Sequence, residues 1–304
     1  VQLIVSELGI ESLVNVALQL GEGLAAPLAY PLDPSRRLFW VFLLSSALLV
    51  LLVLVLERKQ LTPRLLLKLF FNRRYWLHRS TLTDIGCLLC NSMLRAAILV
   101  PLIGSHLIAT LWVARLLQGQ FGDAPSIGIS TGTIAVLFTL CFFIAEDLSR
   151  FSVHRLLHRW PLLWRFHRLH HSAEILTPLT LHRVHPVEMC LNTGRGLLVF
   201  GMVSGSFVYL FGNQLSGLDI LGVDILGFLF NLLGANLRHS HIWLSFGPLE
   251  RWLISPAQHQ IHHSSAQQHK DKNFGTCLAI WDQLGGSLVR SGRKQNLRFG
   301  LSNS

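Results

Sequence analysis

The stretch "LFWVFLLSSALLVLLVLVL", residues 38–56, runs for 19 residues without a charge. Nothing else in the chain constrains the fold as strongly. A helix of that length spans about 28 Å at 1.5 Å per residue, one bilayer hydrocarbon core. A segment in lipid must satisfy its backbone N–H and C=O groups internally, so such a run is helical. Further apolar stretches follow at 85–114, 131–146, 196–212 and 217–235. The first carries Arg95, Pro101 and His106 and is either one kinked span or a broken, re-entrant pair. The last two form a hairpin whose second half is weakened by Asp219 and Asp224. The expected fold is all-α and integral to the membrane, with four or five transmembrane helices. Residues 1–26 suit an amphipathic surface helix. They lack a basic start, so no secretory signal peptide is expected.

Only 14% of residues are charged, too few to cover a soluble surface. Lys and Arg number 26 against 16 Asp and Glu, but the excess is not a nucleic-acid footprint. Residues 1–35, 116–149 and 196–237 contain neither Lys nor Arg, whereas 57–84 and 238–304 are rich in both and 150–195 holds seven Arg. This is the positive-inside pattern, which puts the three basic segments on the cytoplasmic face. No nucleic-acid partner is expected. Cys87 and Cys90 form a C-x-x-C inside an apolar stretch with no second pair, and read as packing residues. The chain divides into an N-terminal membrane region, 1–130, with spans near 38–56 and 85–114, and a histidine-bearing region, 131–304, in one compact unit.

All of the histidines but His106 lie in the basic segments. They read His154-x3-His158, His167-x2-His170-His171, His182-x2-His185, His239-x-His241 and His259-x2-His262-His263, with His269 trailing. Positions i, i+3 and i+4 share a helix face, so each H-x-x-H-H presents three imidazoles on one stripe. Any one histidine near a membrane is most simply an interfacial residue, and His78, His106 and His269 are taken as such. The set is different. Converging imidazoles left unpaired cost about 1–3 kcal/mol each when buried, and protonated ones repel. A metal ion removes both difficulties by taking the neutral nitrogens. The number of histidines exceeds the three or four of a single zinc site and points to two neighbouring ions. Iron, zinc, copper and nickel all accept imidazole. The Glu plus Glu-x-x-His motifs of soluble di-iron bundles are missing.

The stretches "EDLSRFSVHRLLHRWPLLWRFHRLHHS", "HRVHPVE", "NLRHSHIWLSFGPLERWLISPAQHQIHHS" and "NFGTCLAIWDQLGGSL" resemble the fatty acid hydroxylase/sterol desaturase superfamily of membrane di-iron oxygenases, over about residues 140–290. Its bacterial lipid hydroxylases are the most similar members. The resemblance implies metal ligands at His154, His158, His167, His170, His171, His239, His259, His262 and His263, with His185 and His241 as weaker candidates. Asp147 lies seven residues before His154 and is expected to orient a ligand imidazole; Glu188 is a second candidate for that role. Asn273, Trp281 and Asp282 match the family's tail and are expected to pack or hydrogen-bond around the site. Arg155, Arg159, Arg165 and Arg168 are either headgroup contacts or plain cytoplasmic-face charges.

The resemblance further implies two Fe2+ ions, O2 as co-substrate, and hydroxylation of a hydrocarbon chain in a membrane lipid, with desaturation as the alternative outcome. The chain has no iron–sulfur cysteine pattern and no G-x-G-x-x-G, so an external reductase with ferredoxin or a cytochrome is the expected partner. The expected location is a bacterial inner membrane, with the histidines in a cytoplasmic cap. A zinc-dependent membrane hydrolase and a bis-histidine haem carrier are rivals from other classes. A metal transporter would place its ligands at bilayer depth, which the spacing disfavours.

Overall fold

The computed structural model of the chain describes residues 2–99, 106–212 and 225–301. The described residues contain no strand beyond an isolated bridge, Leu253 to Leu278. The long helices are α1 (Gln2–Ala29), α2 (Trp40–Leu56), α3 (Arg79–Leu94), α4 (His106–Phe121), α5 (Thr131–Arg159), α6 (Pro161–His171), α7 (Pro186–Phe211) and the shorter α8 (Pro256–His262). Three helical segments are long and apolar enough to cross a membrane: Arg79–Leu99, Thr131–Arg159 and Pro186–Phe211. The chain is thus an all-α protein of membrane type. The stretch 38–56 becomes α2, a shorter apolar helix of 17 residues. Large side chains such as Leu48 and Leu52 on α2, and Val136 and Leu140 on α5, point outward, as lipid-facing positions do.

Of the stretch 85–114, residues 100–105 lie outside the described residues. Helix α3 passes into a π-turn, Arg95–Leu99, and α4 begins at His106; Pro101 lies outside the described residues. Of the stretch 217–235, residues 217–224 also lie outside them, and the remainder holds the helix Ile225–Leu232. Helix α1 is docked on α3: Tyr30 and Ser92 hydroxyls are 3.0 Å apart. At Gly23 a Cβ would sit 2.7 Å from the Cα of Met93.

Helices α4 and α7 pack through Gly201 and Gly205, a small-x-x-x-small pair. A Cβ at Gly205 would lie 2.8 Å from the Thr110 carbonyl oxygen, and one at Gly201 would lie 2.9 Å from the Ala109 Cβ. Helix α3 carries a polar stripe turned to the chain segment 174–184. Buried Asp84 accepts from Thr180 Oγ1 at 2.7 Å and from Arg183 Nη1 at 3.3 Å. Asn91 Nδ2 donates to the carbonyls of His182 and Val184.

Prolines set the joints around the histidines. Ser130 caps α5 by accepting from Thr133 N. At its far end Pro161 pushes Trp160 to an extended conformation, φ −94°, ψ 114°, which stops α5 and starts α6 with proline at its first position. The same device opens α7 behind His185 and α8 behind Ser255. In α8 it is joined by a reciprocal capping box between Ser255 and Gln258. Short joints of this kind hold the histidine-bearing turns against one another.

Candidate metal centre

Nine histidines meet at the ends of these elements. His154 and His158 come from the last turns of α5, His167, His170 and His171 from α6, and His239 from the 3-10 turn Ala235–His239. His259 and His262 come from α8, and His263 follows it as the C-cap. They form two groups. The first holds His154, His158, His167, His171 and His262; the second holds His170, His239, His259 and His263. Within each group one ligand nitrogen per residue lies within 4.8 Å of the others.

The division corrects the expectation of a single stripe per box. Residues at i and i+4 stay together, as with His167 and His171 or His259 and His263, while the i+3 residue crosses to the other group. Each H-x-x-H-H therefore serves both groups. The rings of His171 and His263 stack across the boundary with centroids 4.5 Å apart.

The nitrogens suit a cation. In the second group the Nε2 atoms of His239, His259 and His263 are separated by 3.0, 3.1 and 3.2 Å. In the first, Nε2 of His158 and His171 are 3.1 Å apart. Three neutral rings cannot fill all three sides of such a triangle with N–H donors. The separations are close to the edge of a coordination polyhedron with metal–nitrogen bonds of about 2.0–2.1 Å. Nδ1–H of three rings is held from behind: His154 donates to Phe274 O at 2.8 Å, His262 to Lys272 O at 2.7 Å, and His167 to Glu188 Oε1 at 2.9 Å. These bonds select the tautomer with a free Nε2. Accordingly, buried Nε2 of His167 and of His262 has no hydrogen-bond partner among the described residues. Burial pushes the His167 and His170 imidazoles down to about 3. Burial, then mutual repulsion among the imidazoles, holds His171, His262 and His263 well below the usual range. All are neutral at pH 7, as ligands must be.

Residues 139–287 match the family described as Fatty acid hydroxylase. This stretch belongs to the fatty acid hydroxylase family. It contains all nine clustered histidines. Among the relatives of the chain, ornithine lipid hydroxylase OlsE of Rhizobium tropici is 28% identical over 52% of this chain and 44% of its own length. Human alkylglycerol monooxygenase is 26% identical over 50% of this chain and 31% of its own. A Delta(7)-sterol 5(6)-desaturase of Eremothecium gossypii is 28% identical over 50% and 37%. The chain thus spans less than half the length of the relatives it matches. No solved structure matches it.

In this hydroxylase-family domain the remaining candidates fall elsewhere. His185 is outside both groups; its Nδ1 accepts from Val187 N and so caps α7. His241 is outside them too, stacked on Tyr75 with centroids 4.5 Å apart. Asp147 does not touch an imidazole. Its carboxylate accepts from Cys277 N, Leu278 N and Trp281 Nε1, all within 2.9 Å, so it positions the C-terminal loop instead. The seven-residue spacing to His154 identified the helix face but not the partner that covers it. Of the two carboxylates singled out from sequence, Glu188 is the one that meets a histidine; Asp271 Oδ1, not singled out, also lies 3.5 Å from His158 Nδ1. Of the three histidines expected at the interface, His78 caps α3, His106 packs edge-on against Phe200, and His269 is buried in its own turn. Cys87 and Cys90 are free thiols outside both groups.

The tail residues surround the site as expected. Asn273, at φ 55°, donates to Gln258 O and accepts from Val289 N. Asp282 accepts from Phe274 N, Gly275 N and Ser287 Oγ. Two supports were not singled out from sequence. Buried Arg238 donates to Gly275 O, its cation over the Phe230 ring. Buried Glu250 accepts from Ser245, Ser255 and Ser291 and so ties α8 to the C-terminal segment. The only local signal was an ionisable residue within a few positions of a histidine box.

Proposed function

We propose that the protein is a membrane-bound di-iron oxygenase that hydroxylates a hydrocarbon chain of a lipid, drawing two electrons from an external reductase with ferredoxin or a cytochrome. The observation that carries this reading is the convergence of nine histidines into two adjoining groups within a fatty acid hydroxylase domain. The first group would hold one Fe2+ and the second the other, with His154, His158, His167, His171 and His262 on one side and His170, His239, His259 and His263 on the other. Iron so bound supplies the O2 reduction and C–H oxidation that no side chain can perform. The residues of the chain prepare the ligands. Glu188 and the carbonyls of Phe274 and Lys272 fix ring orientation, and burial keeps the imidazoles unprotonated.

The donor set also distinguishes the rivals. A haem carrier needs two axial histidines and leaves the others without a role, and a zinc hydrolase site stops at three protein ligands. Desaturation by the same centre is the second reading, favoured by the sterol desaturase among the relatives. The lipid headgroup side faces the cytoplasm, and the inner membrane of a bacterium is the setting, in keeping with the basic segments beside the histidines.

The test is metal analysis of the purified protein together with lipid mass spectrometry of cells with and without it. Two irons per chain, no haem band and a lipid heavier by about 16 Da are expected; a loss of about 2 Da would select desaturation. A zinc-only protein that turns over without oxygen would overturn the reading.

A further inference from the structure

Beside the histidine groups lies a cavity of about 490 Å³, whose walls include Arg36, Arg37, Arg95, Arg150 and His182. A second cavity, about 450 Å³, shares Arg95, Leu181, Asn192 and Thr276 with it and reaches His154, His167 and His170. The charges in the first cavity do not cancel. Its two carboxylates are engaged: Glu146 with Arg150 and Arg195, and Asp147 with its three N–H donors. Arg95, the first residue of the π-turn that follows α3, has no carboxylate or hydrogen-bond partner among the described residues. Arg36 uses only Nε, on Asp33 at 3.2 Å, and rests over the Tyr30 ring. His182 presents a buried Nε2 that also lacks a partner.

We propose that Arg36, Arg95 and His182 bind the phosphate or carboxylate of a lipid headgroup and thereby hold the lipid beside the histidine groups. The inference rests on the proposed lipid-oxidising function, which it deepens by naming the substrate class. Asp33 engages only Nε of Arg36, so the two guanidinium groups still offer unpaired N–H donors, and arginine's fork of donors matches an oxyanion. The His182 imidazole is lowered to about 4 by burial and then by Arg36 and Arg95, so it is neutral, and in the Nε2–H tautomer its partnerless Nε2 donates to the anion. Leu88, Phe143 and Phe230 line the same cavity, offering apolar surface to the part of the lipid nearest the headgroup. The π-turn accounts for the placement, because the extra residue in its turn re-aims side chains out of the α-helical register.

The experiment measures retention of phosphatidate and of diacylglycerol with the same acyl chains by immobilised full-length protein in neutral-detergent micelles, with inorganic phosphate as competitor. Wild type is expected to prefer phosphatidate, and Arg95→Gln or Arg36→Gln to weaken it about tenfold, with diacylglycerol retention unchanged. Arg95→Lys should recover part of the loss. Bound metal and Tm serve as the folding check, and Arg36→Gln, at a half-buried turn outside the long helices, remains informative if Arg95→Gln misfolds. Equal retention of the two lipids by wild type, or unchanged phosphatidate retention in both Gln variants, overturns the proposal. Inorganic phosphate competing as well as phosphatidate overturns the assignment to a lipid. Binding is read without turnover, so failure to find an oxidised lipid would sink the reaction and leave this site standing.

Discussion

Glu188 Oε1 accepts a hydrogen bond from His167 Nδ1 at 2.9 Å, and both side chains are buried. The pair joins the first turn of α7 to the middle of α6, and it turns the His167 Nε2 lone pair toward the first histidine group. Glu188→Ala should therefore lower metal affinity about 10–100-fold while leaving the ligand count intact. Glu188→Gln, which can still accept from Nδ1–H, should recover part of it. A metal titration of the two variants checks this; equal affinities in Glu188→Ala and wild type would remove Glu188 from the centre.

The crossing of each box between groups makes a second prediction. His262→Ala removes a ligand of the five-histidine group, and His263→Ala, one residue on, removes a ligand of the four-histidine group. Each variant should lose about one equivalent of tightly held metal, and the two should lose different ones. Spectroscopy of the residual metal would tell the sites apart. Identical residual spectra would mean a single shared site.

Asp147 accepts three hydrogen bonds from the loop that carries Cys277, Leu278 and Trp281. Asp147→Ala removes the shared acceptor of those three bonds, a cost on the order of 3 kcal/mol. The expected signs are a lowered Tm and proteolytic sensitivity at the C-terminal loop, with the histidine tautomers undisturbed. Loss of metal without loss of stability would instead restore the imidazole-orienting role.

The metal-free protein should be acid-labile. The folded-state values of His167 and His170 lie at about 3, below the unfolded value of about 6.5. Between these limits the unfolded chain binds more protons, so stability is fully present above about pH 6.5 and declines toward pH 3, by up to about 1.4 kcal/mol per pH unit for each histidine. Thermal melts of chelator-treated protein across that range would show it. A flat profile would mean that these imidazoles are not neutral and buried.

Packing of α4 on α7 depends on the absence of a side chain at Gly205. Gly205→Leu should force the helices apart at a cost of about 1–3 kcal/mol, whereas a substitution at Gly194, with nothing within 4 Å of its Cβ position, should cost far less. Comparing detergent-solubilised melts of the two variants checks the contact.

How much of this was legible in the chain differs by element. Run 38–56 and the apolar part of 131–159 were readable as helix because lipid leaves the backbone no other way to pair its polar groups. The irregularity at the end of α3 was readable as an ambiguity, from Arg95 and Pro101, but not the π-turn Arg95–Leu99 itself. The nine clustered histidines could be named from spacing and resemblance, since the i, i+3, i+4 pattern is a local property of one helix. Asp147 and Glu188 looked alike in sequence; only the chain packed against each decided that one holds a backbone loop and the other an imidazole.

The sequence by itself determined the helical class, the basic segments and the identity of the converging imidazoles, because hydropathy, charge and helical period act over a few residues. Tertiary structure alone decided how those rings divide into two groups, which carboxylate stands behind which ring, and that Arg36, Arg95 and His182 share a cavity. Those outcomes are contacts between segments tens to more than a hundred residues apart. Their geometry is set by helix crossings and loop closure, which leave no period in the chain to read.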